Sequence, residues 1–199
     1  MSEDTKRAPL EFRTIASIIE KESSVLDLGC GTGDLLYYLT KTKQINGQGI
    51  EIDEEAIYKC VEKGLTVFHT DIESGIDSYP DAGFNYIVMY NSLQQIRQVD
   101  RVIEESFRLA ERIIIGFPNF AYFTARKDLL LGNSPVTKNL PYQWYDTPNL
   151  RFLSIKDFEK FCGGKNYKIS DRFFFSENKE IKLFPNLFAQ TAVFVISKR

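Results

Sequence analysis

A ten-residue stretch, residues 25–34, constrains the fold of this chain more than any other part of its sequence. It reads Val-Leu-Asp-Leu-Gly-Cys-Gly-Thr-Gly-Asp, a short apolar strand that runs into a turn with three glycines. Leu35, Leu36 and Leu39 follow at helical spacing, so a helix is expected to begin where the turn ends. A strand, a glycine turn and a helix in this order are typical of doubly wound α/β folds that bind phosphates or nucleotides.

The glycine spacing and the acid before it indicate which ligand the turn binds. The dinucleotide fingerprint is Gly-x-Gly-x-x-Gly, whereas Gly29, Gly31 and Gly33 have Gly-x-Gly-x-Gly spacing, and no Lys-Ser/Thr pair of a triphosphate loop follows. Asp27 would repel a pyrophosphate and attract a cation. The string resembles motif I of the class I S-adenosylmethionine (SAM) dependent methyltransferases. That resemblance implies that the turn lies under the methionine part of SAM, with Asp27 helping to hold the ammonium group. Cys30, within the turn, is interpreted as a small filler, and a nucleophile is the alternative.

Two further acids follow the next two predicted strands. Glu51 lies about twenty residues beyond the glycines, where α/β nucleotide folds place the acid that accepts both ribose hydroxyls; a solvated acid at a strand end is the alternative. For Asp71, the resemblance implies a hydrogen bond to the adenine amino group, and an N-cap or turn acid is the alternative. The neighbouring Ile52 and Ile72 complete the predicted cofactor-binding residues at these two strand ends.

The fourth predicted strand, residues 84–89, ends at Tyr90 and Asn91. We expect both residues to face the crevice at the carboxyl end of the sheet and to contact the cofactor. The Asn/Asp-Pro-Pro-Tyr/Phe motif, which many amine methyltransferases have here, is absent from the sequence, and this weakens the case for methylation of nucleobase or protein amines. His69 is the only histidine and is interpreted as a packed or rim residue. The sequence therefore assigns no catalytic residue.

The order of strands and helices, together with the resemblance, predicts a Rossmann-like class I SAM-methyltransferase fold. We expect a seven-stranded, mostly parallel sheet with helices on both faces and an antiparallel hairpin at its C-terminal end. The chain of 199 residues is predicted to form a flexible N-terminal segment (residues 1–9) and one domain (residues 10–199).

A long segment rich in proline and aromatic residues lies at about residues 132–150. It contains three prolines, the aromatic residues Tyr142, Trp144 and Tyr145, and Asn149. A loop of this length in a compact domain is normally functional or disordered, and its aromatic content argues against disorder. Two interpretations remain open: a proline-stiffened lid packed on the sheet, or a recognition surface that covers the cofactor crevice or docks a partner.

Charge and cysteine content exclude several classes of function. A formal net charge of −2 gives no global basic field, so a nucleic-acid partner is not expected. The three cysteines, Cys30, Cys60 and Cys162, have neither disulfide-framework nor metal-ligand spacing, and no metal site is predicted. There is no apolar signal region, and no apolar run approaches ~18 residues. We therefore expect a cytoplasmic protein without a membrane partner.

Several strings between residues 25 and 162 together resemble the family of the bacterial methionine-biosynthesis protein MetW. Apart from the glycine turn, they are Gly-Ile-Glu-Ile-Asp from Gly49, Ser-Leu-Gln from Ser92, Phe-Pro-Asn-Phe from Phe117, Pro-Val-Thr-Lys from Pro135 and Leu-Pro-Tyr-Gln-Trp-Tyr-Asp-Thr-Pro-Asn from Leu140. The last string is not a general methyltransferase feature. The chain departs from the pattern at two histidine positions, where it has Tyr122 and Arg151.

The resemblance implies a SAM-methyltransferase-like protein of methionine biosynthesis that binds SAM or S-adenosylhomocysteine. It also implies a homoserine O-acyltransferase as the partner, which some members are thought to activate by binding. The alternative is an active methyltransferase on a small metabolite. Methyl transfer from a sulfonium requires no general base if positioning and desolvation suffice, so the missing histidines leave this alternative open.

Overall fold

Alternating strands and helices make up residues 8–199, the part of the chain that the computed structural model describes. The helices are α1 (Leu10–Ile18), α2 (Asp34–Lys43), α3 (Glu54–Glu62), α4 (Ile72–Gly75), α5 (Val99–Leu109), α6 (Phe123–Leu130), α7 (Ile155–Gly164) and α8 (Pro185–Phe188). The strands are β1 (Ser24–Leu28), β2 (Asn46–Glu51), β3 (Thr66–His69), β4 (Tyr86–Tyr90), β5 (Arg112–Pro118), β6 (Tyr167–Ser176), β7 (Lys179–Glu180) and β8 (Thr191–Lys198). Of the predicted flexible segment, residues 1–7 lie outside the described residues, and Ala8 and Pro9 lead directly into α1.

All eight strands belong to one sheet with the order β3-β2-β1-β4-β5-β8-β6-β7. The first five strands are parallel, and β8 runs antiparallel between β5 and β6. The α/β class and the antiparallel C-terminal strands are therefore confirmed. The predicted count of seven strands is wrong, because the two-residue β7 pairs with the end of β6. The turn between them has positive φ at both Glu177 and Asn178, as in the tight turns of two-residue hairpins.

Side chains at the helix N-termini explain where two of the helices begin. Asp53 accepts a hydrogen bond from the Ala56 N–H at 2.9 Å, which satisfies one of the free donors at the start of α3. Ser154 and Asp157 form a capping box at the start of α7, each accepting a hydrogen bond from the backbone N–H of the other.

Two apolar clusters cover the opposite faces of the sheet. On β1, Leu26 and Leu28 belong to the cluster that includes α5 and α7, whereas Val25 belongs to the cluster that includes α1 and α2. Successive strand residues point to opposite faces, so Asp27 lies on the side of α1 and α2. Burial on both faces explains why β1 and β4 are almost entirely apolar and why a charged residue at position 27 stands out.

The carboxyl ends of β1 to β4 meet at one edge of the sheet because these strands are parallel. Asp27 of β1 is in register with Gly49 of β2 on one side and with Val88 of β4 on the other. Glu51, the last residue of β2, is in register with His69, the last residue of β3. This register brings the predicted site residues of four different strands to the same edge of the sheet.

Candidate functional site

A cavity of about 400 Å³ opens at the carboxyl ends of β1 to β4. We call it the cofactor cavity, because most of the predicted cofactor-binding residues line it. Ten of the eleven predicted cofactor-binding residues line it: Asp27, Gly29, Cys30, Gly31, Glu51, Ile52, Asp71, Ile72, Tyr90 and Asn91. The eleventh, Gly33, lies outside the lining. Cofactor binding remains a prediction for all eleven residues.

The three glycines of the turn all have positive φ, but they serve different purposes. A Cβ at Gly29, where φ is +77°, would lie 2.6 Å from the Cβ of Ser92, so this glycine permits close packing of β1 against the turn after β4. A Cβ at Gly33 would lie 2.8 Å from the Sγ of Cys60, so that glycine allows α3 to approach. A Cβ at Gly31 would meet no atom within 4 Å. Gly31 therefore leaves open space next to the cavity.

Asp27 is a buried carboxylate without a hydrogen-bond partner at one of its oxygens. The residue is only 3 % exposed, and its Oδ1 makes no hydrogen bond to any atom of residues 8–199. Burial, and to a smaller extent the nearby Glu51 carboxylate, raise the pKa of Asp27 from 3.8 to about 7. A cationic group in the cavity would compensate both effects, so this position suits a positively charged ligand.

Glu51 holds the glycine turn against β2. Its Oε2 accepts a hydrogen bond from the Gly31 N–H at 2.7 Å, while Oε1 accepts from the N–H groups of Ile52 at 2.7 Å and Asp53 at 3.0 Å. This half-buried, bonded carboxylate does not match the solvated strand-end acid of the alternative interpretation. Oε2 has one donor in these contacts and retains the capacity to accept another hydrogen bond.

Asp71 caps α4 and also faces the cavity. Its Oδ1 accepts a hydrogen bond from the Glu73 N–H at 2.7 Å, which is the N-cap role that the sequence left open. Its second carboxylate oxygen makes no hydrogen bond within the described part of the chain, and the side chain lines the cavity. The two roles are therefore compatible in one carboxylate.

Sequence reasoning missed part of the cavity wall. Phe12 of α1 lines the cavity, and its ring packs edge-on against Tyr90 with centroids 5.6 Å apart. Ser92 anchors the turn after β4, because its Oγ donates a 2.6 Å hydrogen bond to the Leu28 carbonyl. The remaining residues not predicted are Thr32, Asp34, Leu35, Thr70, Glu73, Gln95 and Ile96. Most of them are next to a predicted residue in sequence, so their place in the cavity wall could have been predicted. No sequence signal indicated Phe12.

The segment at about residues 132–150, which we call the aromatic loop, forms much of a second cavity of about 300 Å³. This loop cavity is separate from the cofactor cavity. Tyr142, Trp144 and Asn149 line this loop cavity, whereas Tyr145 packs edge-on against Trp144 with ring centroids 5.6 Å apart. None of the four lines the cofactor cavity. Trp144 is 75 % and Tyr145 is 70 % exposed. In this conformation the two rings thus face solvent and do not cover the crevice.

The end of the aromatic loop is nevertheless tied to the cofactor cavity. The backbone N–H groups of Leu150 and Arg151 both donate hydrogen bonds of 2.9 Å to the Gln94 carbonyl. The Gln94 side chain in turn donates a 2.7 Å hydrogen bond to the carbonyl of Asn91, which lines the cavity. A 3₁₀ turn, Leu93–Gln95, therefore connects the two regions.

Comparison with known families gives the identity of this arrangement. The family model described as "Methionine biosynthesis protein MetW" matches residues 9–196. The chain belongs to the MetW family. It is also 31 % identical over 198 residues to the bifunctional methionine biosynthesis protein MetXA/MetW of Rhodopirellula baltica, and the match covers 92 % of this chain and 32 % of that protein. The chain thus spans about a third of the length of this curated relative.

Solved structures with the same fold include SAM-dependent methyltransferases. A SAM-dependent methyltransferase from Archaeoglobus fulgidus is 18 % identical with a TM-score of 0.72, over 94 % of this chain and 91 % of that one. A second, from Thermotoga maritima, is 16 % identical with a TM-score of 0.67, over 98 % of this chain and 91 % of that one. At such identities the likeness shows the fold, which is that of the class I SAM methyltransferases.

Tyr122 and Arg151, which stand where the MetW family pattern has histidines, supply no general base. Tyr122 is almost completely buried and packs against Phe123 with ring centroids 4.6 Å apart. The guanidinium of Arg151 donates hydrogen bonds to the carbonyl oxygens of Leu150 and Arg97. In the cofactor cavity, burial raises the pKa of the Tyr90 hydroxyl above its ordinary value, so that hydroxyl stays protonated at neutral pH.

Between residues 8 and 199, no helix combines the length and the apolar character that crossing a bilayer requires. Over the same residues, no three His, Cys, Asp or Glu side chains are placed to share a metal ion.

Proposed function

We propose that this protein binds SAM in the cofactor cavity and, in methionine biosynthesis, binds and activates a homoserine O-acyltransferase. SAM binding is supported above all by the buried Asp27 carboxylate, which lies beside the glycine turn. Its Oδ1 has no hydrogen-bond partner within residues 8–199. SAM has two cationic groups, an ammonium and a sulfonium, and an ammonium next to Asp27 would supply the missing positive charge.

The other cavity residues suit the remaining parts of SAM. Oε2 of Glu51 accepts one hydrogen bond in the structure and can accept another from a ribose hydroxyl. The carboxylate oxygen of Asp71 that α4 leaves free suits the adenine amino group. Ile52 and Ile72 line the cavity beside these two acids, and we place the adenine ring between them.

The curated relative supports the partner part of the proposal. Its name joins MetXA and MetW in one bifunctional protein, and this chain matches about a third of it. A unit that functions beside MetXA in one chain is expected to function beside a homoserine O-acyltransferase as a separate chain. The exposed Trp144 and Tyr145 rings suit that role, because these residue types are favoured anchors of protein interfaces.

The deciding experiment measures homoserine O-acyltransferase kinetics with and without this protein, using the acyltransferase of the same organism. We expect a rise in rate that saturates with this protein and is lost in the double variant Trp144→Ala/Tyr145→Ala. Tyr58→Ala is the matched control, because Tyr58 is an equally exposed aromatic residue on α3. No rise in rate at any protein ratio would contradict the activation.

The same assay tests whether SAM regulates the partner. If SAM binding and partner binding are coupled, the stimulation will change when SAM is added at saturation, as linkage requires. Equal stimulation with and without SAM would remove the regulatory part and leave the activation itself intact. Calorimetric titration with SAM, carried out on the protein alone, tests cofactor binding independently of the acyltransferase.

Methyl transfer to a small metabolite is the second candidate function. The full set of strand-end acids around the cavity favours it. SAM when bound would supply a methyl group on its sulfonium, and Phe12, Tyr90 and Asn91 would position the acceptor and exclude water. The test is the formation of S-adenosylhomocysteine with metabolites of the methionine pathway. Turnover without any effect on the acyltransferase would make this the better assignment.

A further inference from the structure

Helix α6 exposes apolar side chains that contribute little to the packed core. Phe123 and Leu130 are seven residues apart and therefore lie on the same helix face; Leu130 is 87 % exposed. Phe123 packs against Phe188 of α8 with ring centroids 6.4 Å apart, and both side chains remain partly open to solvent. Contiguous exposed apolar surface of this kind marks interaction sites in soluble proteins.

The loop cavity continues this surface. Leu129, the neighbour of Leu130 on α6, lines that cavity together with Trp144 and Tyr142 of the aromatic loop. We call the surface formed by Phe123, Leu129, Leu130, Trp144, Tyr145 and Phe188 the docking face. It combines α6, the aromatic loop that directly follows α6 in sequence, and the distant helix α8.

One polar group in the loop cavity lacks a partner. Asn149 is 8 % exposed, and its Oδ1 makes no hydrogen bond within residues 8–199. The lining of this cavity contains no charged side chain. A free amino acid or a phosphorylated metabolite would leave its charges unpaired there. An uncharged, apolar side chain of a partner protein suits the cavity better.

The charges around the docking face indicate the partner's surface. Lys127 lies on α6 between Phe123 and Leu130, and Lys138 lies in the aromatic loop; both are exposed and make no ion pair with a residue between 8 and 199. Asp146, next to Tyr145 in the same loop, is also exposed and makes no ion pair within these residues. A partner with carboxylates opposite the two lysines complements them.

We propose that the docking face binds the acyltransferase through one apolar anchor side chain that enters the loop cavity and is surrounded by acidic residues. This inference rests on the proposed function and extends the contact from the aromatic loop to α6 and α8. The relative in which a MetW unit and MetXA form one bifunctional protein, of which this chain matches 32 %, supports an acyltransferase as the occupant.

The test measures the affinity of the acyltransferase for the full chain by calorimetry or interferometry. We expect Leu130→Asp to weaken binding at least tenfold without changing the thermal melting curve, because Leu130 contributes little to the core. Val61→Asp is the matched control, since Val61 is an exposed apolar residue on α3. We expect Lys127→Glu to weaken binding and to reduce its salt dependence, whereas Lys160→Glu on α7 changes neither.

Each other outcome has a definite meaning. If wild-type protein stimulates the acyltransferase and Leu130→Asp binds it with unchanged affinity, the docking face is wrong and the proposed function stands. If the wild-type protein neither binds nor stimulates the enzyme, both are wrong. If Leu130→Asp instead converts a dimer of this chain to a monomer in sedimentation, the face belongs to a second copy. Equal losses in Val61→Asp and Leu130→Asp would also overturn the inference.

Discussion

The cofactor cavity and the docking face are built in opposite ways. The cavity is lined by carboxylates that backbone N–H groups hold in place, as at Glu51 and Asp71. The docking face consists of apolar side chains that remain largely exposed, such as Leu130 and Trp144. The cofactor cavity thus has a charge without a partner, whereas the docking face has exposed apolar surface. The two regions therefore suit different classes of ligand.

The two regions are supported by different parts of the fold. The cavity depends on the central strands, because its residues stand at the ends of β1 to β4. The docking face depends on loops and on the ends of short helices, which can be altered without disturbing the sheet. Variants of the first region are therefore expected to affect stability and SAM binding together, whereas variants of the second affect partner binding alone.

The largest effect is expected where the glycine turn packs against the sheet. Gly29→Ala places a Cβ 2.6 Å from that of Ser92 in a left-handed conformation, so we expect a loss of about 2–4 kcal/mol in the free energy of unfolding. Gly31→Ala is the matched variant: its φ is also positive but its Cβ meets no atom within 4 Å. Urea unfolding should show a loss of about 1 kcal/mol for Gly31→Ala; equal losses would contradict this packing account.

Asp27→Asn should change stability and SAM binding together but in opposite directions. The pKa of Asp27 is higher in the folded chain (about 7) than the ordinary value of 3.8. The contribution of Asp27 to the free energy of unfolding is therefore fully present below pH 4. It is lost as the pH rises through 7, because the buried carboxyl group ionises. At pH 8 we expect the variant to be more stable than wild type by about 2–4 kcal/mol, with no difference near pH 4, and to bind SAM more weakly. Unfolding curves with the same pH dependence in both proteins would contradict this.

Glu51→Ala tests the ribose contact. Loss of one charge-assisted hydrogen bond should weaken SAM binding by about 1.5–3 kcal/mol in calorimetry. Because Glu51 also holds the turn through Gly31, the melting temperature of the variant must be measured beside its affinity. The docking face should be unaffected, so binding of the acyltransferase without SAM serves as the control. Unchanged SAM affinity would show that the ribose lies elsewhere.

The smallest effect concerns the connection between the two regions. Gln94→Ala removes the hydrogen bond to the Asn91 carbonyl and keeps the backbone bonds to Leu150 and Arg151. We expect the affinities for SAM and for the acyltransferase, each measured alone, to change by less than about 1 kcal/mol. The change in partner affinity caused by SAM should decrease. A coupling equal to that of wild type would show that this 3₁₀ turn does not connect the regions.

Most of the fold and of the cavity could be predicted from the sequence because the signals are local. The apolar strands, the glycine turn and the acids at the strand ends occur within short stretches, and parallel pairing then brings them together. The short strand β7 could not be predicted in this way. Its turn uses Glu177 and Asn178 at positive φ, where the recognisable hairpin signals contain glycine.

The docking face and part of the cavity wall depend on contacts between distant segments. The packing of Phe12 on Tyr90 joins α1 to the end of β4. Gly33 belongs to the motif spacing and yet serves the packing of Cys60. At the end of α6 the three consecutive leucines 129–131 give no amphipathic period, so their exposure became apparent only from the structure.

The position of β8 in the sheet has a consequence for synthesis. β8 pairs with both β5 and β6, with Ile114 opposite Val195 and Ile169 opposite Ile196. Until β8 emerges from the ribosome, the nascent chain presents β5 as a bare apolar edge, which is a template for pairing with other chains. Residues 119–190 must be synthesised during this interval. The chain is then most exposed to aggregation, and its dependence on chaperones should be concentrated there.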